Sequence, residues 1–194
     1  MRSHATATWN NRSMTIRRDL DIIQLTHPDD ADPAVRQELT DCWIAVTNAG
    51  GAAGFPFPPV DAGQVAPAVG ALAASLDPRR CRMLLARING SLAGWVVLSR
   101  DRSPLIAHWG TVNHLQTQPA RRNQGVGSAL MKRLREVARD EMGLEQLHLA
   151  ARGGIGLEDF YARLGWQVTG RWPGKLRFAP DDTRDEILMV LAPL

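Results

Sequence analysis

The apolar positions change their spacing several times along the chain, and each change marks an element. Ile16, Leu20, Ile22, Ile23 and Leu25 predict a first strand over 15–25. Asp32-Pro33 then supplies an N-cap and a first-turn proline, and Val35, Leu39, Cys42, Trp43 and Val46 recur along one helical face. Gly50-Gly51 ends that helix. The stretch Gly54-Phe55-Pro56-Phe57-Pro58-Pro59 cannot be helical and reads as an ordered loop, after which Asp61 can cap a second helix through Val65, Val69 and Leu72 to about Leu76. Residues 81–88 and 92–99 read as strands joined at Asn89-Gly90, a strong hairpin signal. A third long strand covers 108–118, and an amphipathic helix runs from near Gly125 to about Met142. A strand over 144–151, a short helix over 157–164 and strands over 166–171 and 186–191 complete the chain. The order β-α-α-β-β-β-α-β-α-β-β contains no repeat and no second domain boundary. It predicts an α/β fold, a single three-layer domain over 14–194 with a central mixed, mostly antiparallel sheet.

Composition narrows the classes without choosing among them. A chain of 194 residues that is 44% hydrophobic can fill one core. Its formal charge of +3 is interspersed, with no lysine-rich tract or aromatic ladder, so it would steer a small anion weakly and is no nucleic-acid signature. Cys42 and Cys81 stand far apart without metal-ligand spacing, and two cysteines make no disulfide framework, so a reducing, cytoplasmic setting is expected with no metal. No apolar run approaches the roughly 18 residues of a membrane span. Residues 1–13 are polar where a signal peptide would be apolar and read as a flexible extension, with Met14 as an alternative start.

The densest chemical signal is Arg121-Arg122-Asn123-Gln124-Gly125-Val126-Gly127-Ser128, between the third long strand and its helix. The first N–H groups of a helix lack intrahelical partners and the helix dipole adds positive potential there, while glycines let the backbone approach a phosphate. The P-loop pattern is absent, because no Gly-Lys-Ser or Gly-Lys-Thr occurs anywhere. The dinucleotide fingerprint fails as well, with Leu130 at its sixth position and no acid at the end of the following strand.

The arrangement R-x-x-G-x-G resembles the acyl-CoA pyrophosphate loop of the GNAT-type N-acetyltransferases, and the element order resembles that family from about residue 15 to 191. Leu115-Gln116-Thr117-Gln118-Pro119 looks like the end of the family's fourth strand, whose backbone pairs with the pantetheine arm of CoA. Phe160-Tyr161-Ala162-Arg163-Leu164-Gly165-Trp166 looks like its F-Y-x-x-x-G-[FW] segment. More loosely, Asp41-Cys42-Trp43, Gly54-Phe55, His108 and Trp172-Pro173-Gly174 resemble the tabtoxin-resistance acetyltransferases. One departure is Gly154, where many members carry an asparagine that contacts pantetheine; contacts from that turn must come from backbone.

The resemblance implies acetyl transfer from acetyl-CoA to a primary amine by direct attack. It places CoA on Leu115, Gln116, Thr117 and on Arg122, Asn123, Gln124, Gly125, Val126, Gly127 and Ser128. Tyr161 falls at the position of the thiolate's proton donor; taken by itself it reads as a packed tyrosine beside Trp166, and the Phe-Tyr-x-x-x-Gly context brings the functional reading forward. An ammonium group must lose a proton before attack, and histidine titrates where that is useful. His108, His114 and His148 are the candidates, His108 foremost by the closer resemblance. The resemblance also puts the loop after the first helix at the acceptor, nominating Phe55 and Phe57. Glu158, Asp159, Asp181, Asp182 and Asp185 could draw a cationic amine, although a solvated charge run is the simpler reading of each. A small-molecule acceptor and a monomer or homodimer are expected; a protein N-terminus or lysine as acceptor, and a non-enzymatic acyl-CoA-binding module, are the alternatives.

Overall fold

Asp32 and Asp61 start the first two helices. In the computed structural model, which describes residues 20–51, 54–55 and 58–194, Asp32 accepts a hydrogen bond from the Val35 N–H at 2.8 Å and opens α1 (Pro33–Asn48). Asp61 accepts from the Gln64 N–H at 3.1 Å, and Gln64 accepts from the Asp61 N–H, a reciprocal cap that opens α2 (Ala62–Ala74). The extension expected over 1–13 and the start of the strand expected from residue 15 lie outside the described residues; β1 is seen over Leu20–Leu25.

β2 (Cys81–Ile88) and β3 (Ser91–Arg100) form the hairpin that Asn89-Gly90 predicts, with both turn residues at positive φ. They are followed by β4 (Trp109–Thr117), α3 (Val126–Glu136), β5 (Gln146–Arg152), α4 (Leu157–Ala162), β6 (Gln167–Ala179) and β7 (Asp182–Leu191). The strand order is β1-β2-β3-β4-β5-β7-β6, and only β4 and β5 pair in parallel, so the sheet is mixed and mostly antiparallel. Alternation along the central strands builds two cores. Met83, Leu85, Trp95 and Val97 pack with α1 and α2 on one face, while Leu84, Ala86, Val96 and Leu98 pack with α3 and α4 on the other. Among the described residues no helix is long and apolar enough to cross a membrane, and no three His, Cys, Asp or Glu side chains converge to hold a metal.

The last hairpin is longer than its sequence predicts. Trp172-Pro173-Gly174 lies inside β6, because that strand is at the sheet edge and shifts register between Trp172 and Leu176. A proline at such a place removes no ladder hydrogen bond.

Two features of β4 position the site. It pairs with β5 only where Trp109, Gly110 and Thr111 face Gln146, Leu147 and His148, and beyond that point the two strands part. Against β3 it is irregular between Asn113 and Gln116, and within that bulge His114 takes a φ of 54°.

Candidate functional site

Beyond Thr111 the β5-facing edge of β4 has no strand partner among the described residues. Gln118 donates its N–H to the Ala93 carbonyl on β3 at 2.9 Å. In an antiparallel ladder successive residues alternate direction, so the peptide groups of Thr117 turn away from β3 and into this gap. Gln116 is set differently: it faces Trp95 in the β3 register, and its side chain is buried with Oε1 unpartnered. Leu115 packs against the core shared with α3 and α4.

At the end of the gap the chain turns through Pro119–Arg121 into α3. The turn needs left-handed backbone at Asn123 (φ 60°) and at Gly125 (φ 82°), the N-cap residue. No side chain caps α3, and the first N–H with an intrahelical partner is that of Ala129, bonded to the Gly125 carbonyl. The donors of Val126, Gly127 and Ser128 therefore point out of the helix end, next to the opened edge of β4. A Cβ on Gly127 would lie 3.4 Å from the Phe160 ring and 3.7 Å from Thr117 Oγ1, so this position borders both the gap and α4. Gln124 donates from Nε2 to the Ala120 carbonyl, which braces the turn. Arg122 is exposed, and its guanidinium reaches back to Gly51 after α1. A diphosphate fits the uncapped helix end with its arginine, and the open strand edge leading to it fits an extended amide-bearing arm.

Tyr161 is buried on α4 between Phe160 and Trp166, with ring centroids 5.0 and 5.9 Å away. Burial pushes its phenol up to about 12, so the hydroxyl stays protonated. Among the described residues none hydrogen-bonds that hydroxyl.

The three histidines take three different places. His108 is exposed, precedes β4, and meets Gln146 side chain to side chain at 3.3 Å. It is four residues from the opening of the gap, roughly 13 Å along a strand. The structure thus brings it neither to the loop nor to Tyr161. His148 lies under Trp109, with centroids 3.8 Å apart, where β4 and β5 are still paired. His114 sits in the bulge beside the gap, 4.9 Å from the Trp43 ring and stacked at 5.7 Å on Trp95, and burial lowers its pKa. It lines a cavity of about 430 Å³ with Trp43, Phe55 and Leu72.

Phe55 packs edge-on against Trp43 at 5.2 Å and also borders a second cavity of about 260 Å³, formed with Thr47, Arg152, Phe178, Asp182 and Arg184. Phe57 lies outside the described residues. Three of the candidate acids are neutralised: Arg171 bridges Glu158 at 3.1 Å and Asp185 at 3.0 Å, and Asp182 pairs with Arg184. Asp159 and Asp181 are exposed. Sequence reasoning missed Thr47, Arg152 and Arg184. Only Arg152, at a strand end before Gly153-Gly154, carried a visible signal.

The model of the Acetyltransferase (GNAT) family matches residues 33–166. No curated protein matches the chain. Among solved structures, a GCN5-related N-acetyltransferase from Kribbella flavida superposes with a TM-score of 0.71 at 19% identity, covering 90% of this chain and 98% of that one. A Salmonella typhimurium protein solved with its cofactor acetyl-CoA gives 0.65 at 19% identity, covering 89% and 93%. The ribosomal-protein-S18-alanine N-acetyltransferase of Escherichia coli gives 0.65 at 17% identity, covering 90% and 94%. At these identities the likeness is one of fold.

Proposed function

Because this chain belongs to the acetyltransferase (GNAT) family, whose cosubstrate is acetyl-CoA, we propose that it acetylates the primary amine of a small molecule by direct attack. The observation that carries the reading is the parting of β4 from β5 beside an uncapped helix end, with the hydroxyl of Tyr161 left without a partner among the described residues.

Acetyl-CoA supplies an activated thioester: the amine nitrogen bonds to the acetyl carbon as the carbon–sulfur bond breaks. The chain's residues bind, orient and move protons. Thr117, with Leu115, offers strand amides to the pantetheine arm, and Val126, Gly127 and Ser128 offer helix N–H groups to the diphosphate, with Asn123, Gln124 and Gly125 shaping the turn and Arg122 adding charge. Gln116 faces the opposite way, and its part is to hold the strand. Tyr161 is the donor of a proton to the departing thiolate, a role that its protonated, unbonded hydroxyl suits. His114 is the better placed base, because it borders the gap and its lowered pKa keeps the ring neutral and accepting near pH 7. His108, first choice by resemblance, is too far along the strand. A small acceptor is favoured by the second cavity, whose volume of about 260 Å³ suits a compact molecule.

The test is thiol release from acetyl-CoA across a panel of primary amines. Turnover on at least one small amine is expected. Tight CoA binding with no turnover on any amine or peptide would overturn the proposal in favour of a non-enzymatic acyl-CoA-binding module, and turnover on peptides alone would move the acceptor to a protein.

A further inference from the structure

The cavity between the α1–α2 connection, the end of β5 and the β6–β7 hairpin has a charge opposite to the one its acids suggest. Asp182 is taken by Arg184 through a paired contact, with a second bond at 3.3 Å. Arg152 is left over. It is the last residue of β5, four beyond the final β4-paired residue His148. Leu147, Leu149 and Ala151 point into the α3–α4 core, so alternation turns Arg152 to the other face, the one carrying His114 and α1. Its Nη2 donates to the Gly50 carbonyl at 2.7 Å and its guanidinium lies 4.8 Å from the Phe178 ring centre. Among the described residues no carboxylate forms an ion pair with it. Burial, and then the charge of Arg184, push its pKa down, and the pull of Asp182 only partly offsets them.

A second observation points the same way. Thr47 lines this cavity, is only 2% exposed, and its hydroxyl has no partner among the described residues. A buried hydroxyl without a partner is costly unless something that binds there meets it. A guanidinium presents a planar fork of donors that matches two carboxylate oxygens, and a threonine hydroxyl can add a third bond. Phe55, Phe178 and Ile155 supply apolar walls around this polar pair.

We propose that this cavity holds the acceptor and selects an amine of amino-acid size that carries a carboxylate, gripped by Arg152 and Thr47, with an apolar body against Phe55 and Phe178. The inference rests on the acetyl-transfer reading above. It places the amine toward the gap between β4 and β5, since Arg152 stands at the edge of that gap. The competing role for Arg152 is structural, pinning the loop after α1 through Gly50; in that case an acid and its neutral amide are handled alike.

The experiment compares α-amino acids with their carboxamides as acceptors in the thiol-release assay, with acetyl-CoA held saturating. The best acid is expected to exceed its own amide in kcat/KM at least about tenfold, the value of one charge-assisted contact. Arg152→Gln should bring that ratio close to one, chiefly through KM, Arg152→Lys should restore part of it, and Thr47→Val should lower it several-fold. Calorimetric titration of the CoA-loaded protein with N-acetyl-amino acids and N-acetyl-amino amides reads the same preference without turnover. Preferred binding of the acids that Arg152→Gln abolishes sustains the anion site even if acetyl transfer fails. Equal handling of acid and amide by the wild type in both measurements overturns it, as does an unchanged acid-to-amide ratio in a folded Arg152→Gln protein.

Discussion

At Tyr161, burial keeps a proton in place. The phenol is packed between Phe160 and Trp166, its pKa is pushed up to about 12, and no described residue takes its hydrogen bond. Tyr161→Phe preserves the ring and its packing, so the melting temperature and CoA affinity should hardly move. Loss of a positioned acid should lower kcat by about 10²–10⁴-fold. A kcat within about threefold of wild type would return Tyr161 to a packing role. His114 has the opposite displacement, since burial holds its pKa below the ordinary 6.5. Above the lowered value the ring is neutral and can accept a proton; as pH falls through it, that capacity is lost. The acidic limb of kcat/KM should therefore have its midpoint below 6.5, and His114→Gln should remove it while His108→Gln and His148→Gln keep it. The same sign applies to stability. The unfolded chain binds this proton more readily, so the contribution of a neutral His114 is complete above 6.5 and is lost as pH falls toward the folded value.

At the scale of elements, the junction of β4 with α3 carries the site, and Gly127 is its narrowest point. This glycine is not required by backbone conformation, since among its neighbours only Asn123 and Gly125 take positive φ. It is required by space: a Cβ would already touch Phe160 and approach Thr117 Oγ1, so the branched methyls of Gly127→Val would enter the mouth of the gap. CoA affinity should fall about tenfold or more, the equivalent of one or two charge-assisted hydrogen bonds. Calorimetric titration checks this, and an unchanged affinity in a folded variant removes the diphosphate from the start of α3.

Over the whole molecule, the sheet is two antiparallel blocks, β1–β4 and β5–β7–β6, joined in parallel only where Trp109, Gly110 and Thr111 meet Gln146, Leu147 and His148. A ligand bonded to the open edge of β4 and lying against β5 extends that seam. CoA at 100 times its Kd should add about 2.7 kcal/mol of stability. For a chain of this size the melting temperature should rise by roughly 5–10 °C. Amide exchange should slow at residues 112–117 and 126–128 on CoA binding, and far less in β1 and the β2–β3 hairpin. Protection spread evenly over the sheet, or absent from β4, would place the ligand elsewhere.

The fold was legible in the sequence wherever a local rule operates. Asp32-Pro33, Asp61 and Asn89-Gly90 specify caps and a turn through their own atoms, whereas the division of the expected single core into two, one on each face of the sheet, appears only in the fold. The turn through Gly125 into α3 was legible too, because a strand, a glycine turn and a helix start are specified by consecutive residues. The β6–β7 hairpin was underestimated, since Pro173 and Gly174 read as a break until the strand is known to be an edge. The base and the acceptor pocket depend on residues far apart in sequence. His114 reaches the gap only because a bulge turns it at φ 54° between Trp43 and Trp95. Glu158, Asp182 and Asp185 lose their pull on a cation because Arg171 and Arg184 neutralise them in space, and the charge left without an ion pair in the cavity, among the described residues, is that of Arg152. Composition counts charges; only the tertiary structure decides which of them are paired.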